Sequence, residues 1–266
     1  MEHALAKGLS IAYQRAGHGP AIVLLHGFSL DSRSWKPQVD ALADQFTVIA
    51  WDAPGAGQSQ DPPPSFGISD WADALAGLLD LARIERAHLI GISWGGLLAQ
   101  EFYRHHASRV TSLVLAGTYA GWKGSLSEAV AEQRLEAALV DSTLAPGAFV
   151  HKYLPDMFGG MATSDVRRDL AAIMADVHPA GFRLMARALA RADTRELLPM
   201  IDVPTLLVWG DADTRSPLRV AHAMRDAIPG ARLEVIAGAG HLSNLERPTE
   251  FTTIVRNFCE AIAPRA

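Results

Sequence analysis

The sequence predicts an α/β fold: a mostly parallel, doubly wound sheet with a helical cap inserted into it. Three observations carry this. Short continuous apolar runs, such as Ala21-Ile-Val-Leu-Leu25, alternate with helix-period patterns, as expected for strands buried on both faces of a parallel sheet. The alternation stops at residue 119 and resumes after residue 195. Glycine-rich turns follow several of the apolar runs, at the strand ends where ligands of such sheets bind.

Taken in order, residues 9–14 read as a first strand, turned at Gly17-His18-Gly19-Pro20. The run 21–25 is the first buried strand and ends at His26-Gly27-Phe28. A helix pattern covers 35–44, and a strand covers 46–51 before the turn Asp52-x-Pro-Gly-x-Gly-x-Ser59. A helix over 69–82 leads to the strand beginning at His88, and that strand runs into Gly91-x-Ser93-x-Gly95 and a helix to His106. Residues 110–116 are another buried strand. The stretch 119–195 is mostly helix pattern and rich in Trp, Phe, Tyr and Met, which we read as a cap whose large side chains mostly form its own core. The core domain is therefore 1–118 together with 196–266. Its second part holds a strand over 205–209, the turn Gly210-Asp-Ala-Asp213, a helix over 218–228, a strand over 232–236, the loop ending at His241, and a last helix over 248–262.

Composition narrows the partners. Among 266 residues, 49% are hydrophobic and 20% charged, with net charge −5 and no Lys/Arg cluster, which argues against a nucleic-acid surface. No apolar run reaches the ~20 residues a membrane span needs, and the first residues lack the apolar core of a signal peptide. A cytoplasmic protein with a small-molecule substrate is expected, and the oligomeric state is left open. The single cysteine, Cys259, lies in an amphipathic pattern and reads as a buried thiol. No His/Asp/Glu cluster suits a metal, so neither metal nor other cofactor is expected.

The chemistry centres on Ser93. Its glycine spacing, at a strand-to-helix junction, is that of a nucleophile elbow, which lifts a serine hydroxyl clear of the backbone at a helix N-terminus. A serine hydroxyl needs a base, and the base needs a carboxylate to fix its tautomer. On this kind of fold these follow in the order Ser, acid, His, which points to Ser93, Asp213 and His241. Of ten histidines, only His26 and His241 fall on the right sheet edge, and His26 belongs to a turn it more naturally braces. Asp211 is the rival acid, but Asp213 sits further out from its strand. The oxyanion donors are expected to be the backbone N–H groups of Phe28 and Trp94. Candidate pocket residues are His26, Trp122, Phe149, Tyr153, Met157, Phe158 and Leu242.

Across nearly its whole length the sequence resembles the α/β-hydrolase family. The resemblance is carried by His26-Gly-Phe28, Asp52-x-Pro-Gly-x-Gly-x-Ser59, Gly91-Ile-Ser-Trp-Gly95, Gly210-Asp-Ala-Asp213 and Gly240-His241. Within the family it is most similar to 3-oxoadipate enol-lactonases, through Ala239-Gly-His-Leu-Ser-Asn-Leu-Glu-Arg-Pro248 and through Ala186-Arg-Ala-Leu-Ala-Arg-Ala-Asp193 followed by Leu197-Leu-Pro-Met-Ile201. It departs from many of them at His26-Gly27 and at Pro54. Relatives that cleave epoxides or haloalkanes carry an aspartate where this chain has Ser93. The resemblance implies a cofactor-free serine hydrolase of a small carboxylic ester or lactone. Two alternatives stand beside it: a C–C bond hydrolase of a ring-cleavage diketone, which would use the same triad, and a ligand sensor that keeps the fold and hydrolyses slowly or not at all, against which the intact triad counts. Against the first, C–C hydrolases usually carry Trp where this chain has Leu242.

Overall fold

The structure, a computed structural model, describes residues 1–262. In chain order it runs β1 (Glu2–Ala6), β2 (Leu9–Ala16), β3 (Ala21–Leu25), α1 (Lys36–Leu42), β4 (Thr47–Trp51), α2 (Ile68–Leu81), β5 (Ala87–Ile92), α3 (Trp94–His106) and β6 (Val110–Ala116). Then come α4 (Trp122–Ser125), α5 (Glu128–Asp141), α6 (Pro146–Tyr153), α7 (Ser164–Ala175) and α8 (Pro179–Arg191). The chain finishes with β7 (Thr205–Gly210), α9 (Leu218–Ala227), β8 (Arg232–Ile236), α10 (Ser243–Glu246) and α11 (Pro248–Glu260).

Eight strands form one sheet in the order β1-β2-β4-β3-β5-β6-β7-β8. The pairs β1–β2 and β2–β4 are antiparallel, and every other pair is parallel. Strands β4, β5 and β7 are buried along their whole length, which is why they read as unbroken apolar runs. Helix α2 packs against α3, and α1 packs against α11. The strand order reverses at β3, which lies between β4 and β5. The crevice past the C-terminal ends of β3 and β5 is therefore the natural ligand site.

The expected first strand is in fact the second. β1 precedes it and pairs with it through a two-residue turn, Lys7 (φ 52°) and Gly8 (φ 75°). Two positive φ values are what a tight hairpin needs. However, Lys-Gly is not a usual signal for that turn, and the mostly exposed β1 has no apolar run to reveal it. His3 accordingly lies in a strand. The last helix ends at Glu260, short of the expected 262. Between β6 and β7 the described chain is helical, and Trp122, Phe149, Tyr153, Met157, Phe158, Met174, Phe182 and Met185 are buried there. Met161 is the exception, 49% exposed. Cys259 is buried, and burial pushes its thiol up to about 12. Among the described residues no helix is long and apolar enough to cross a membrane.

Candidate active site

Ser93 sits between β5 and α3 with φ 55° and ψ −117°, a conformation that non-glycine residues rarely adopt. The surroundings enforce it. A Cβ on Gly91 would fall on the Gly95 carbonyl, and one on Gly95 would fall on the carbonyl of Leu25 at the end of β3. Only glycine at both positions lets strand, turn and helix meet. The turn is pinned by Ser93 N–H to Ala116 O at 2.8 Å and by Thr118 Oγ1 donating to Ser93 O at 2.6 Å. Ser93 itself is partly exposed at the mouth of the crevice.

Asp213 follows β7, and its two oxygens have separate duties. Oδ1 accepts from the N–H groups of Arg215 and Ser216 at 2.9 and 2.8 Å, which folds the loop around it. Oδ2 accepts from His241 Nδ1 at 2.8 Å. A carboxylate only accepts, so the proton of this bond sits on Nδ1 and leaves Nε2 as the basic nitrogen. Both residues are buried. Gly117, at the end of β6 with φ 49°, closes over the pair: a Cβ there would lie 3.3 Å from both His241 Nδ1 and Asp213 Oδ2. The rival Asp211 points elsewhere, accepting from Gly238 N–H at 2.7 Å. Ser93 Oγ makes no hydrogen bond to His241 among the described residues; such bonds are often long until substrate is in place.

The turn after β3 lies beside the elbow, since a Cβ on Gly27 would be 3.6 Å from Ser93 Cβ. Neither the Phe28 nor the Trp94 amide donates to a protein acceptor among the described residues, so both remain available to a ligand oxygen. His26 holds this turn. Its Nε2 accepts from Ala53 N–H at 3.0 Å, so its Nδ1–H donates to Gly27 O at 2.9 Å. Burial pushes its pKa down, consistent with a neutral brace. Asp52 is structural too, accepting from Ser32 N–H and Gln58 N–H, each at 2.8 Å.

A cavity of about 330 Å³ opens between the cap and the loop after β7. Of the expected pocket residues, Trp122 and Tyr153 line it, together with Phe28. The other five lie outside its wall. His26 is buried in its turn, and Phe149 is stacked 4.6 Å from Tyr153. Phe158 lies under Arg167, while Met157 O accepts from Leu242 N–H at 3.0 Å. Unforeseen in the sequence are Arg134 and Arg215, which also face the cavity. Arg215 stands two residues after Asp213, a closeness that could have flagged it, whereas Arg134 is one polar residue on a helix and carried no signal. Also unforeseen is Glu246. Its buried carboxylate accepts from Gly240 N–H at 2.7 Å, next to His241, and from the cap amides of Gly159 and Met161 at 2.9 and 2.6 Å. The cap and the histidine loop are thereby held by one side chain.

Known proteins are similar to this chain over most of its length. A family model described as the alpha/beta hydrolase fold matches residues 20–248. The chain is 34% identical over 262 residues to a 3-oxoadipate enol-lactonase of Acinetobacter baylyi, covering 96% of this chain and 94% of that one. It superposes on a thermophilic esterase from Thermogutta terrifontis, solved with malate bound, with TM-score 0.90 and 30% identity over 99% of both chains. An enol-lactonase from Burkholderia xenovorans gives TM-score 0.87 and 29% identity, over 97% of this chain and all of that one, a coverage of 100%. With a hydrolase-fold model covering most of its length and hydrolases among its relatives, the chain belongs to the α/β-hydrolase family.

Proposed function

We propose that this protein is a serine hydrolase of small carboxylic esters or lactones. The observation that carries the reading is the strained elbow at Ser93 on the same sheet edge as a buried His241–Asp213 pair bonded at 2.8 Å. In this reading Ser93 Oγ attacks the substrate carbonyl while its proton passes to His241 Nε2. Asp213 fixes the tautomer and stabilises the imidazolium. The amides of Phe28 and Trp94 hold the oxyanion. Collapse breaks the carbonyl–oxygen bond, and the departing alkoxide takes the proton from His241. Water then gives a proton to His241 and attacks the acyl-enzyme; the acyl–Oγ bond breaks, Ser93 Oγ takes that proton back from His241, and the acid leaves. The enol-lactonase and esterase relatives support ester or lactone as the bond cleaved.

The test joins labelling to a substrate panel. A fluorophosphonate is expected to label Ser93 alone, as read by mass spectrometry, and Ser93→Ala is expected to take no label. The panel holds p-nitrophenyl esters of rising chain length, several lactones and a ring-cleavage diketone. Turnover of esters or lactones supports the reading. Turnover of the diketone alone would favour C–C hydrolysis, and tight binding without turnover would favour a sensor.

A further inference from the structure

The backbone on both sides of His241 is tied to the cap. The loop before it, residues 237–240, is Ala-Gly-Ala-Gly and has no polar side chain to fix its own course. The amide of Gly240, on one side of His241, donates to Glu246 Oε2 at 2.7 Å. The amide of Leu242, on the other side, donates to Met157 O at 3.0 Å. Glu246 joins the two ties. Its Oε2 also accepts from Gly159 N–H at 2.9 Å, and its Oε1 accepts from Met161 N–H at 2.6 Å. Residues 157–161 and the loop are in backbone contact as well. A Cβ on Gly240 would fall on the Gly159 amide nitrogen, and one on Gly159 would lie 2.6 Å from Gly238 O. Helix α10 is a single turn that brings the Glu246 side chain back over the loop, with Glu246 N–H donating to Leu242 O at 3.0 Å. Glu246 is buried, and among the described residues it bonds to no cation. Three backbone amides hold its charge instead, in charge-assisted hydrogen bonds of about twice the strength of neutral ones.

We propose that Glu246 is a positioning residue for the general base, and that it makes the place of His241 depend on the cap segment 157–161. This rests on the hydrolase reading above, which makes His241 the base. Nε2 must come within hydrogen-bond reach of Ser93 Oγ, and a misplacement of about 1 Å can cost about 10²-fold in rate. Asp213 fixes the ring at Nδ1. Glu246 fixes the backbone from which the ring hangs. Only a carboxylate satisfies the arrangement, because N–H donors meet both of its oxygens. A glutamine has one acceptor oxygen, and its NH₂ would face an amide N–H whichever way it turned. It can keep the Gly240 amide or the Met161 amide, but not both. Cap segment and base therefore move as one. A displacement of 157–161 is felt in the chemical step rather than in substrate affinity.

The test is a double-mutant cycle on the ester or lactone of the panel that is turned over fastest, with urea unfolding alongside. Glu246→Gln is expected to lower kcat by roughly 10- to 100-fold, the effect of a misplaced base, with KM within about 3-fold of the wild type. In the His241→Ala background no base is left to position. There the same substitution is expected to change the residual kcat by less than about 2-fold. Gly159→Ala pushes the cap segment off the loop while leaving the carboxylate in the chain. It is expected to repeat both results, and it decides the matter should Glu246→Gln not fold. A lowered urea midpoint with unchanged kcat in Glu246→Gln would reduce the carboxylate to a stability element and overturn the proposal. Equal losses with and without His241 would also overturn it, since the damage would then lie outside the base. Wild type that turns over no ester or lactone, or His241→Ala with wild-type kcat, would sink the hydrolase reading and this proposal with it. A deep loss in His241→Ala beside an unaffected Glu246→Gln would sink the proposal alone.

Discussion

At Asp213 a change of one atom separates holding a histidine from holding a loop. Oδ1 is committed to the amides of Arg215 and Ser216, and Oδ2 to His241 Nδ1–H. In Asp213→Asn the amide oxygen keeps the loop, and its NH₂ turns to His241. Two donors then meet, so the histidine must place its proton on Nε2, where it cannot accept one from Ser93. We expect kcat to fall by about 10⁴-fold, the effect of this change in another triad, with the fold intact by circular dichroism. Asp211→Asn, which touches only Gly238 N–H, is expected to change kcat by no more than a few-fold. Reversed effects in steady-state kinetics would move the acid to Asp211. This choice was legible in the sequence because both aspartates follow a recognisable strand and only their distance from it differed. Arg215 and Arg134 were not legible, because nothing in a residue's neighbours along the chain tells which cavity a loop or helix face will line.

Between elements, contacts without side chains decide how the cap meets the core. Gly181, in the first turn of α8, rests on Gly55 in the turn after β4, and a Cβ on Gly181 would fall on the Gly55 carbonyl. The next residue, Phe182, stacks on Phe28 with ring centroids 4.2 Å apart. A methyl at 181 must therefore lift α8 and disturb the ring whose own amide is a candidate oxyanion donor. Gly181→Ala is expected to cost about 1–3 kcal/mol in urea unfolding, the usual range for overpacking, and to lower kcat as well. Gly147→Ala is the control. That residue is exposed in α6 with nothing near its Cβ, so gaining a helix former is expected to stabilise by up to about 1 kcal/mol. Equal effects at the two positions would refute the close-contact argument. The elements themselves were readable wherever burial imposed a pattern, as in β4 to β7. They were hidden where it did not, as in the exposed β1 and the unremarked hairpin turn at Lys7-Gly8.

For the molecule as a whole, the parallel sheet buries a titratable group that bears on stability rather than on chemistry. His88 starts the elbow strand at the end far from Ser93, buried, with Nδ1 2.7 Å from Ser112 Oγ and its ring edge-on to Phe46. Burial pushes its pKa from 6.5 down to about 4. The unfolded chain therefore takes up a proton at His88 before the folded protein does. The stability this neutral histidine contributes is complete above the unfolded value and is lost as the pH falls from there toward the folded one. The full difference is about 3 kcal/mol, and about 2 kcal/mol of it falls between pH 7 and pH 5. Urea unfolding of the wild type at pH 7, 6 and 5 is expected to show this decline. His26, likewise pushed down by burial, adds to it with the same sign, so only a comparison isolates His88. His88→Gln is expected to be less stable at pH 7, because it gives up a packed ring, yet to lose about 2 kcal/mol less than the wild type on going to pH 5. Parallel declines in the two proteins would mean that His88 titrates alike in the folded and unfolded chains, and that the acid sensitivity of this fold lies in some other group.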